Sequence, residues 1–450
     1  VSVLPSGVTE LLGDHLGAQR WYAGTGAPSA ESLVVVDSSV LLSVDRGPQL
    51  HWVVIEVDGV RYQLLLGQRG AEDATGALRG HELAVLGVVD GACIYDATVD
   101  SELMLGFFEL VVGAPATRVR PVGAEQSNTS LVFDDRIIVK IYRRLLDGHN
   151  PDIEVTSALV DAGFSQVAAP AGVWRQGGVD LAFAQQFLSG GTDGWALALT
   201  SLRDFSHAAV DDPAETGGDF AGEAGRLGRV TAELHLALAR AFEPDPDGLA
   251  EGWSVFVDGI AARLQAFVAT EVGQRVEVAE RLTDRFRQVH HPGPALRVHG
   301  DYHLGQVMRT DGGWYVLDFE GEPARPFADR VRPSSVMKDV TGMLRSLHYV
   351  ARFAFRDRDG TGWHGDGARI DDLARAVAWE DRNREAFLDG YRSTEGVAGL
   401  AAADPEDQEL VMAAFELDKA LYELDYEQAY RPDWVDIPRH AISRVLGRLG

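Results

Sequence analysis

Asp301 stands in the string Arg297-Val-His-Gly-Asp-Tyr-His-Leu-Gly-Gln306, and a second acid, Asp318, closes the apolar run Trp314-Tyr-Val-Leu317 just before Phe319 and Glu320. These residue types at this spacing suit phosphoryl transfer. Asp301 is placed to take the proton of an acceptor hydroxyl. Gln306 and Asp318, with Glu320 beside them, offer the hard oxygen ligands that hold Mg²⁺ against nucleotide phosphates. Two other readings compete for the same residues. His299, Asp301 and His303 alternate as a metal-hydrolase cluster on one strand face would, and the string also reads as an ordinary polar turn. The second acid after a second apolar run favours phosphoryl transfer, because a histidine metal cluster has no need of it.

Protein kinases place Asp-x-x-x-x-Asn and Asp-Phe-Gly in this order, and here the matching strings are Asp301-x-x-x-x-Gln306 and Asp318-Phe-Glu320. Upstream lie candidates for the nucleotide. Lys140 sits inside the apolar run Arg136-Ile-Ile-Val-Lys-Ile-Tyr142, where an ammonium is costly unless anions meet it; phosphates would do so, although a lysine blunting a sheet edge reads similarly. Glu154, in the first turn of a helix opened by Asn150-Pro151-Asp152, is the expected ion-pair partner of Lys140. The loop Gly123 to Thr129 has one glycine, so Ser127, Asn128 and Thr129 must help its backbone approach phosphates. The buried run Asp180 to Leu188 ends at Ser189-Gly-Gly191 and reads as a hinge whose backbone at Gln186 to Leu188 would face an adenine edge.

Composition narrows the partners. The chain has 450 residues, 46% of them hydrophobic, and a formal charge of −27, which describes a globular protein and argues against nucleic acid or an anionic membrane as partner. Cys93 is the single cysteine, so no intrachain disulfide forms and a reducing, cytoplasmic setting is expected. Val1 to Gly7 lacks the basic and apolar regions of a leader, and the longest apolar runs are too short to span a bilayer. No obligate protein partner is evident.

Three segments position these residues. Residues 1–112 read as a separate cap: a helix from Val8 to Leu16, then strands at Ser32–Val36, Val40–Val44, His51–Val57 and Arg61–Leu66, with Asp58-Gly59 as a hairpin turn. Trp21 and Tyr22 read as packing anchors. Residues 113–188 carry the phosphate loop and Lys140. Residues 189–450 turn mainly helical, with Leu227, Val230, Leu234 and Leu238 at helical spacing between Phe220 and Phe242, and further helices near 339–355, 369–391, 406–430 and 439–449. His235 reads as a packing residue, and 357–367 as a glycine-rich loop. Leu296–Val298 and Trp314–Leu317 are expected as strands joined by the turn Asp311-Gly-Gly313.

Several strings resemble those of maltokinases, within the wider aminoglycoside-phosphotransferase-like group. They are His299 to Gln306, Asp318-Phe-Glu-Gly-Glu-Pro-Ala-Arg-Pro326, Lys338 to Ser346, Asp418-Lys-Ala-Leu-Tyr-Glu423, Gln19 to Gly24, Glu125 to Ser130, Asn150 to Glu154 and Arg431-Pro-Asp-Trp434. The resemblance covers nearly the whole chain. It implies an α+β, bilobal, protein-kinase-like fold behind an N-terminal α/β cap, ATP with Mg²⁺, and a sugar hydroxyl as acceptor. It gives Asp301 the role of base, Gln306 and Asp318 that of metal ligands, and Lys140 that of phosphate lysine.

One departure bears on the acceptor. Where maltokinases typically read Tyr-Glu-Val-Val-Tyr-Glu, this chain has Tyr422-Glu-Leu-Asp-Tyr-Glu427, adding a carboxylate at Asp425. A carboxylate in the helix expected to wall the sugar pocket suits a protonated amine better than a neutral disaccharide, and the glucosamine-kinase branch of this family is the nearer resemblance. His303, Glu322, Asp418, Tyr422, Glu423, Asp425 and Tyr426 are the expected acceptor contacts. Maltose is the alternative acceptor, and Asp425 facing solvent is the competing placement. A kinase-fold regulatory module is a further alternative, against which the intact set Lys140, Asp301, Gln306 and Asp318 argues.

Overall fold

The structure is a computed structural model that describes residues 7–24, 26–29, 31–45, 47–123, 128–270, 276–322, 325–356 and 368–449. The chain divides into two compact units, residues 1–154 with 168–189, and residues 155–167 with 190–450.

The first unit holds two five-stranded sheets, antiparallel throughout. After helix α1 (Val8–Gly17), strands β1 (Leu33–Ser43), β2 (Gln49–Val57), β3 (Val60–Gly70), β4 (Val85–Val89) and β5 (Ala92–Asp96) form a sheet of order β1-β2-β3-β5-β4, joined by helices α2 (Ala71–Ala77) and α3 (Ser101–Val112). The two strands expected across 32–44 are one strand, bent by irregularities between Val35 and Asp37 and between Val40 and Leu42, because a bulge absorbs an extra residue without ending the ladder. Asp58 and Gly59 both have positive φ, 50° and 76°, as a two-residue hairpin between right-twisted strands requires. The second sheet has strands β6 (Val119–Pro121), β7 (Asn128–Phe133), β8 (Ile137–Tyr142), β9 (Pro170–Gln176) and β10 (Val179–Gln186), in the order β6-β7-β8-β10-β9.

Leu131, Phe133, Val139, Ile141 and Leu181 of that second sheet share one apolar core with Leu50, Trp52, Leu103, Phe107 and Val111. The expected boundary between 1–112 and 113–188 therefore falls inside a single unit: a sheet face that apolar cannot stay in water.

Helix α4 (Pro151–Asp161) leads into the second unit, which contains a small sheet, β11 (Thr192–Asp193), β12 (Val307–Thr310) and β13 (Gly313–Val316), among helices α5 (Gly194–His207), α6 (Ala221–Ala241), α7 (Gly248–Thr270), α8 (Val276–Arg287), α9 (Phe327–Arg330), α10 (Met337–Arg356), α11 (Ala368–Arg392), α12 (Pro405–Tyr430) and α13 (Asp436–Leu449). Leu227, Val230, Leu234 and Leu238 all lie in its core. One strand differs from expectation. The partner of β13 across the 311–313 turn is β12, and 295–296 form only isolated bridges, to Asp245 and Ser334. A tight turn pairs only the residues next to it, so the strand partner had to start at Thr310. The segment 357–367 lies outside the described residues.

Candidate active site

In the second unit, the string around Asp301 is shaped by a buried carboxylate distant in sequence. Asp339, fully buried near the start of α10, accepts the backbone N–H of His299 at 2.8 Å and of Gly300 at 2.9 Å. His235 on α6 meets the same carboxylate at 3.2 Å and is itself bonded to the Tyr391 hydroxyl at 2.8 Å. Burial alone would raise the Asp339 pKa, but His235 and these backbone donors hold it below the usual carboxylate range. His235 thus helps to position the loop, beyond the packing expected of it. Gly300 has φ of 87°, a conformation that glycine adopts without strain.

Both ring nitrogens of His299 are committed to backbone: Nε2 donates to the Leu317 carbonyl at 2.9 Å and Nδ1 accepts from the Asp301 amide at 3.4 Å. That removes His299 from any metal cluster with Asp301 and His303. His303 accepts the Gly305 amide on Nδ1 and turns Nε2 toward Asp301, 3.9 Å away. Burial lowers its pKa despite the neighbouring Asp301 carboxylate, so it stands neutral near pH 7.

Asp301 opens onto a narrow cleft lined by His303, Glu322, Arg325, Lys338, Asp418 and Lys419, among others. Lys419, from α12, places its ammonium 3.6 Å from Asp301 and 3.0 Å from Glu322. Burial opposes its charge, yet Asp301, Glu322 and Glu423 push its pKa up, so it remains an ammonium. Arg325 holds Glu322 at 2.7 Å and lies 3.9 Å from Asp418, which also pairs with Arg263. Burial would raise the Glu322 pKa, and Lys419 and Arg325 hold it low. Arg325 thus serves Glu322 and Asp418, Lys419 serves Asp301 and Glu322, and Lys338 also borders the cleft.

Gln306 and Asp318 come together across the β12–β13 hairpin, amide nitrogen to carboxylate 3.4 Å apart. Asp318 has φ of 62°, the left-handed region that side chains other than glycine rarely enter. A half-buried carboxylate beside a side-chain amide, whose carbonyl oxygen is a hard ligand, is a donor set that fits Mg²⁺. Glu320 is half-buried two residues on.

The nucleotide candidates lie in the first unit. Lys140 on β8 pairs in register with Ser130 on β7 and with Phe183 on β10, and Asn128 pairs with Tyr142. Directly paired residues share a sheet face, so Asn128, Ser130 and Phe183 lie on the Lys140 side. Thr129 pairs with Ile141, which belongs to the core shared with the cap, and its hydroxyl accepts from Arg143 Nε at 2.8 Å. The expectation that Thr129 faces the nucleotide is thus corrected by the two-residue period of a strand: Ser130 takes that side. Ser127 lies outside the described residues.

A buried carboxylate, Asp152, meets Lys140 at 3.2 Å, a contact not anticipated from the sequence; Glu154 lies two residues on, exposed in the same first turn. At the hinge, the amides of Gln186, Phe187 and Ser189 bond the carbonyls of Ala169, Arg136 and Phe187. Among the described residues the Leu188 amide makes no such backbone bond.

Helix α12 sorts the remaining acceptor candidates. Asp418 lines the cleft, and the Tyr422 ring lies under both Lys419 and Arg325, at 5.2 and 5.3 Å. Glu423 is bonded to the buried Arg345 at 2.6 Å. Asp425 and Tyr426, further along the helix, are exposed. Positions 418 and 425 share a helix face two turns apart, roughly 10 Å of rise, and Asp418 is the one of the two that lines this cleft. Sequence reasoning missed Lys419, Arg325 and Asp339. All three sit inside strings that carry the family resemblance, and for Asp339 the residue pattern itself adds only an acid at a helix start.

Comparison with known proteins bears on this geometry. Residues 15–100 match the model of the maltokinase N-terminal cap domain, and residues 118–405 match that of the phosphotransferase enzyme family. A glucosamine kinase of Streptacidiphilus jiangxiensis is 30% identical over 78% of this chain and 78% of its own. One from Mycolicibacterium smegmatis is 29% identical over 73% and 79%. Among solved structures, a glucosamine kinase in complex with glucosamine, ADP and inorganic phosphate superposes with a TM-score of 0.63 at 24% identity, covering 98% of this chain and all of that one.

Proposed function

Because the chain belongs to the phosphotransferase enzyme family, with a maltokinase-type cap at its N-terminus, we propose that it is an ATP-dependent sugar kinase whose acceptor is glucosamine, giving glucosamine 6-phosphate. The observation that carries the chemistry is Asp301 at a charged cleft, on a loop pinned by Asp339. The Lys419 ammonium lies 3.6 Å from the Asp301 carboxylate at that cleft, where an acceptor hydroxyl would meet a base as it attacks the terminal phosphoryl group. Lys140, on the face shared with Asn128 and Ser130, holds nucleotide phosphates. Gln306 and Asp318 would hold Mg²⁺, which when bound neutralises charge on the transferring phosphates.

The choice of acceptor rests on the two glucosamine kinases among the relatives and on Glu322 and Asp418 in the cleft. A carboxylate there favours the charged form of an amine whose pKa is near neutral. Maltose is the second reading, supported by the cap's family. Release of ADP in the presence of glucosamine, glucose, maltose and kanamycin-type aminoglycosides distinguishes them. Fast turnover on maltose with little on glucosamine would overturn the amino-sugar reading and leave the kinase intact.

A further inference from the structure

Arg143 follows the Lys140 strand directly and is 1% exposed. Its guanidinium has three anchors within the first unit. Nε donates to the Thr129 hydroxyl at 2.8 Å, and the second terminal nitrogen reaches Asp96 at 2.9 Å, while the group lies over the Trp21 ring with 5.3 Å to its centroid. Asp96 ends strand β5 of the cap sheet, and Trp21 lies in the segment after α1. Asp96 is itself held by the Thr98 hydroxyl at 2.7 Å and amide at 3.0 Å.

The cap grips the same stretch of chain a second time. The Gln63 amide donates to the Arg143 carbonyl at 2.9 Å, its side chain donates to the Tyr142 and Leu181 carbonyls, and Tyr62 bridges Arg144. Apolar packing between the sheets covers Leu131 and Phe133, but at the Thr129 end a cleft of about 590 Å³ opens, bordered by His15, Trp21, Glu82, Asn128 and Arg143. There the strand is held to the cap by polar contacts. A buried ionic bond is directional where apolar packing is not, so it sets the strand's position rather than only its burial.

We propose that Arg143 is a positioning residue for the nucleotide, through which the cap sets the start of β7 and, on its opposite face, Asn128 and Ser130 beside Lys140. The inference rests on the kinase reading of that face. It assigns the cap a part in catalysis: cap, guanidinium and Thr129 hydroxyl form one chain of contacts ending a single residue from the phosphate-side groups. Thr129 points away from Lys140, so its hydroxyl acts on the nucleotide only through the strand.

The test uses the full-length protein with ATP and glucosamine varied separately. Thr129→Val removes only the hydroxyl that accepts from Arg143; Arg143→Gln removes the charge, and Arg143→Lys restores it with fewer donors. Losing a bond to a buried charged group is worth about tenfold or more. KM for ATP is therefore expected to rise about tenfold in Arg143→Gln and severalfold in Thr129→Val. KM for glucosamine should stay within about twofold, and Arg143→Lys should recover part of the loss. Adding Thr129→Val to Arg143→Gln should cost nothing further, as coupled residues do not add. An unchanged ATP KM in a folded Thr129→Val protein would overturn the proposal, as would equal rises in both KM values. Lys140→Met, measured in parallel, tests the kinase reading separately: an unchanged ATP KM there would refute that reading whatever Arg143 does.

Discussion

Two dense ionic clusters occupy the second unit, and they differ in one respect that separates chemistry from architecture. Around Asp301, the groups Lys419, Glu322, Arg325 and Asp418 pair closely, but Asp301, Asp418, Lys419 and Arg325 each keep part of their surface in the cleft. Around Glu380, His348 lies at 2.9 Å and Arg444 at 2.6 Å, while Arg384 bridges to Glu416 at 2.8 Å; Glu380, His348 and Glu416 are all fully enclosed. Burial would raise the Glu380 pKa, yet His348, Arg384 and Arg444 hold it far below the usual range. Perturbed carboxylates occur in both clusters, so a shifted pKa marks neither as the active site. What distinguishes the first is a carboxylate with an open face, Asp301, and an ammonium 3.6 Å from it. The second ties α10, α11, α12 and α13 together where their backbones offer no mutual bonds.

The sharpest way to break this contrast is Asp301→Asn. Loss of a general base costs about 10²–10⁴-fold in turnover, and the melting temperature should barely move because Lys419 keeps Glu322. Near-normal turnover in the purified variant would remove Asp301 from the base role. Glu380→Ala should do the reverse. Breaking a buried pair costs roughly 3–5 kcal/mol of stability, read by denaturant unfolding, while KM for both substrates holds.

The same cluster predicts a pH dependence. The depressed Glu380 contributes stability that is present above the unfolded carboxylate pKa, about 4.3, and is lost as pH falls through its lower folded value. Burial also lowers the His348 pKa, so stability should begin to decline once pH drops below the ordinary histidine value of about 6.5. Glu380→Gln should flatten the acid limb in melting curves; an unaltered limb would show that other groups govern it.

Within the open cluster, Asp418→Asn should reduce the preference for glucosamine over glucose by about 10-fold, the worth of a charge-assisted hydrogen bond. An unchanged ratio in competition assays would exclude Asp418 as the amine's partner. The smallest effect is expected at Asp425→Val. Its exposed position predicts both rate and preference within about twofold of the parent, and a large shift in selectivity would contradict the face assigned to it on α12.

Groups whose relations are set by neighbours in the chain were legible without coordinates. Asp301, Gln306 and Asp318 belong to a loop and hairpin of fixed length, the 58–59 turn is written in its residues, and Lys140 alone is charged within an apolar strand. Such features depend on bond geometry over a few residues. Groups that meet across the fold were not legible. Asp152 meets Lys140, Thr129 turned to the cap while Ser130 took the Lys140 face, and Asp339 came from another helix to bond the loop at 299–300. Lys419 reached Asp301, and Asp425 stands exposed two turns beyond Asp418. Strand register and the depth at which a helix enters a cleft decide these pairings. Both follow from packing summed over distant residues, and one step along a strand or two turns along a helix reverses the outcome.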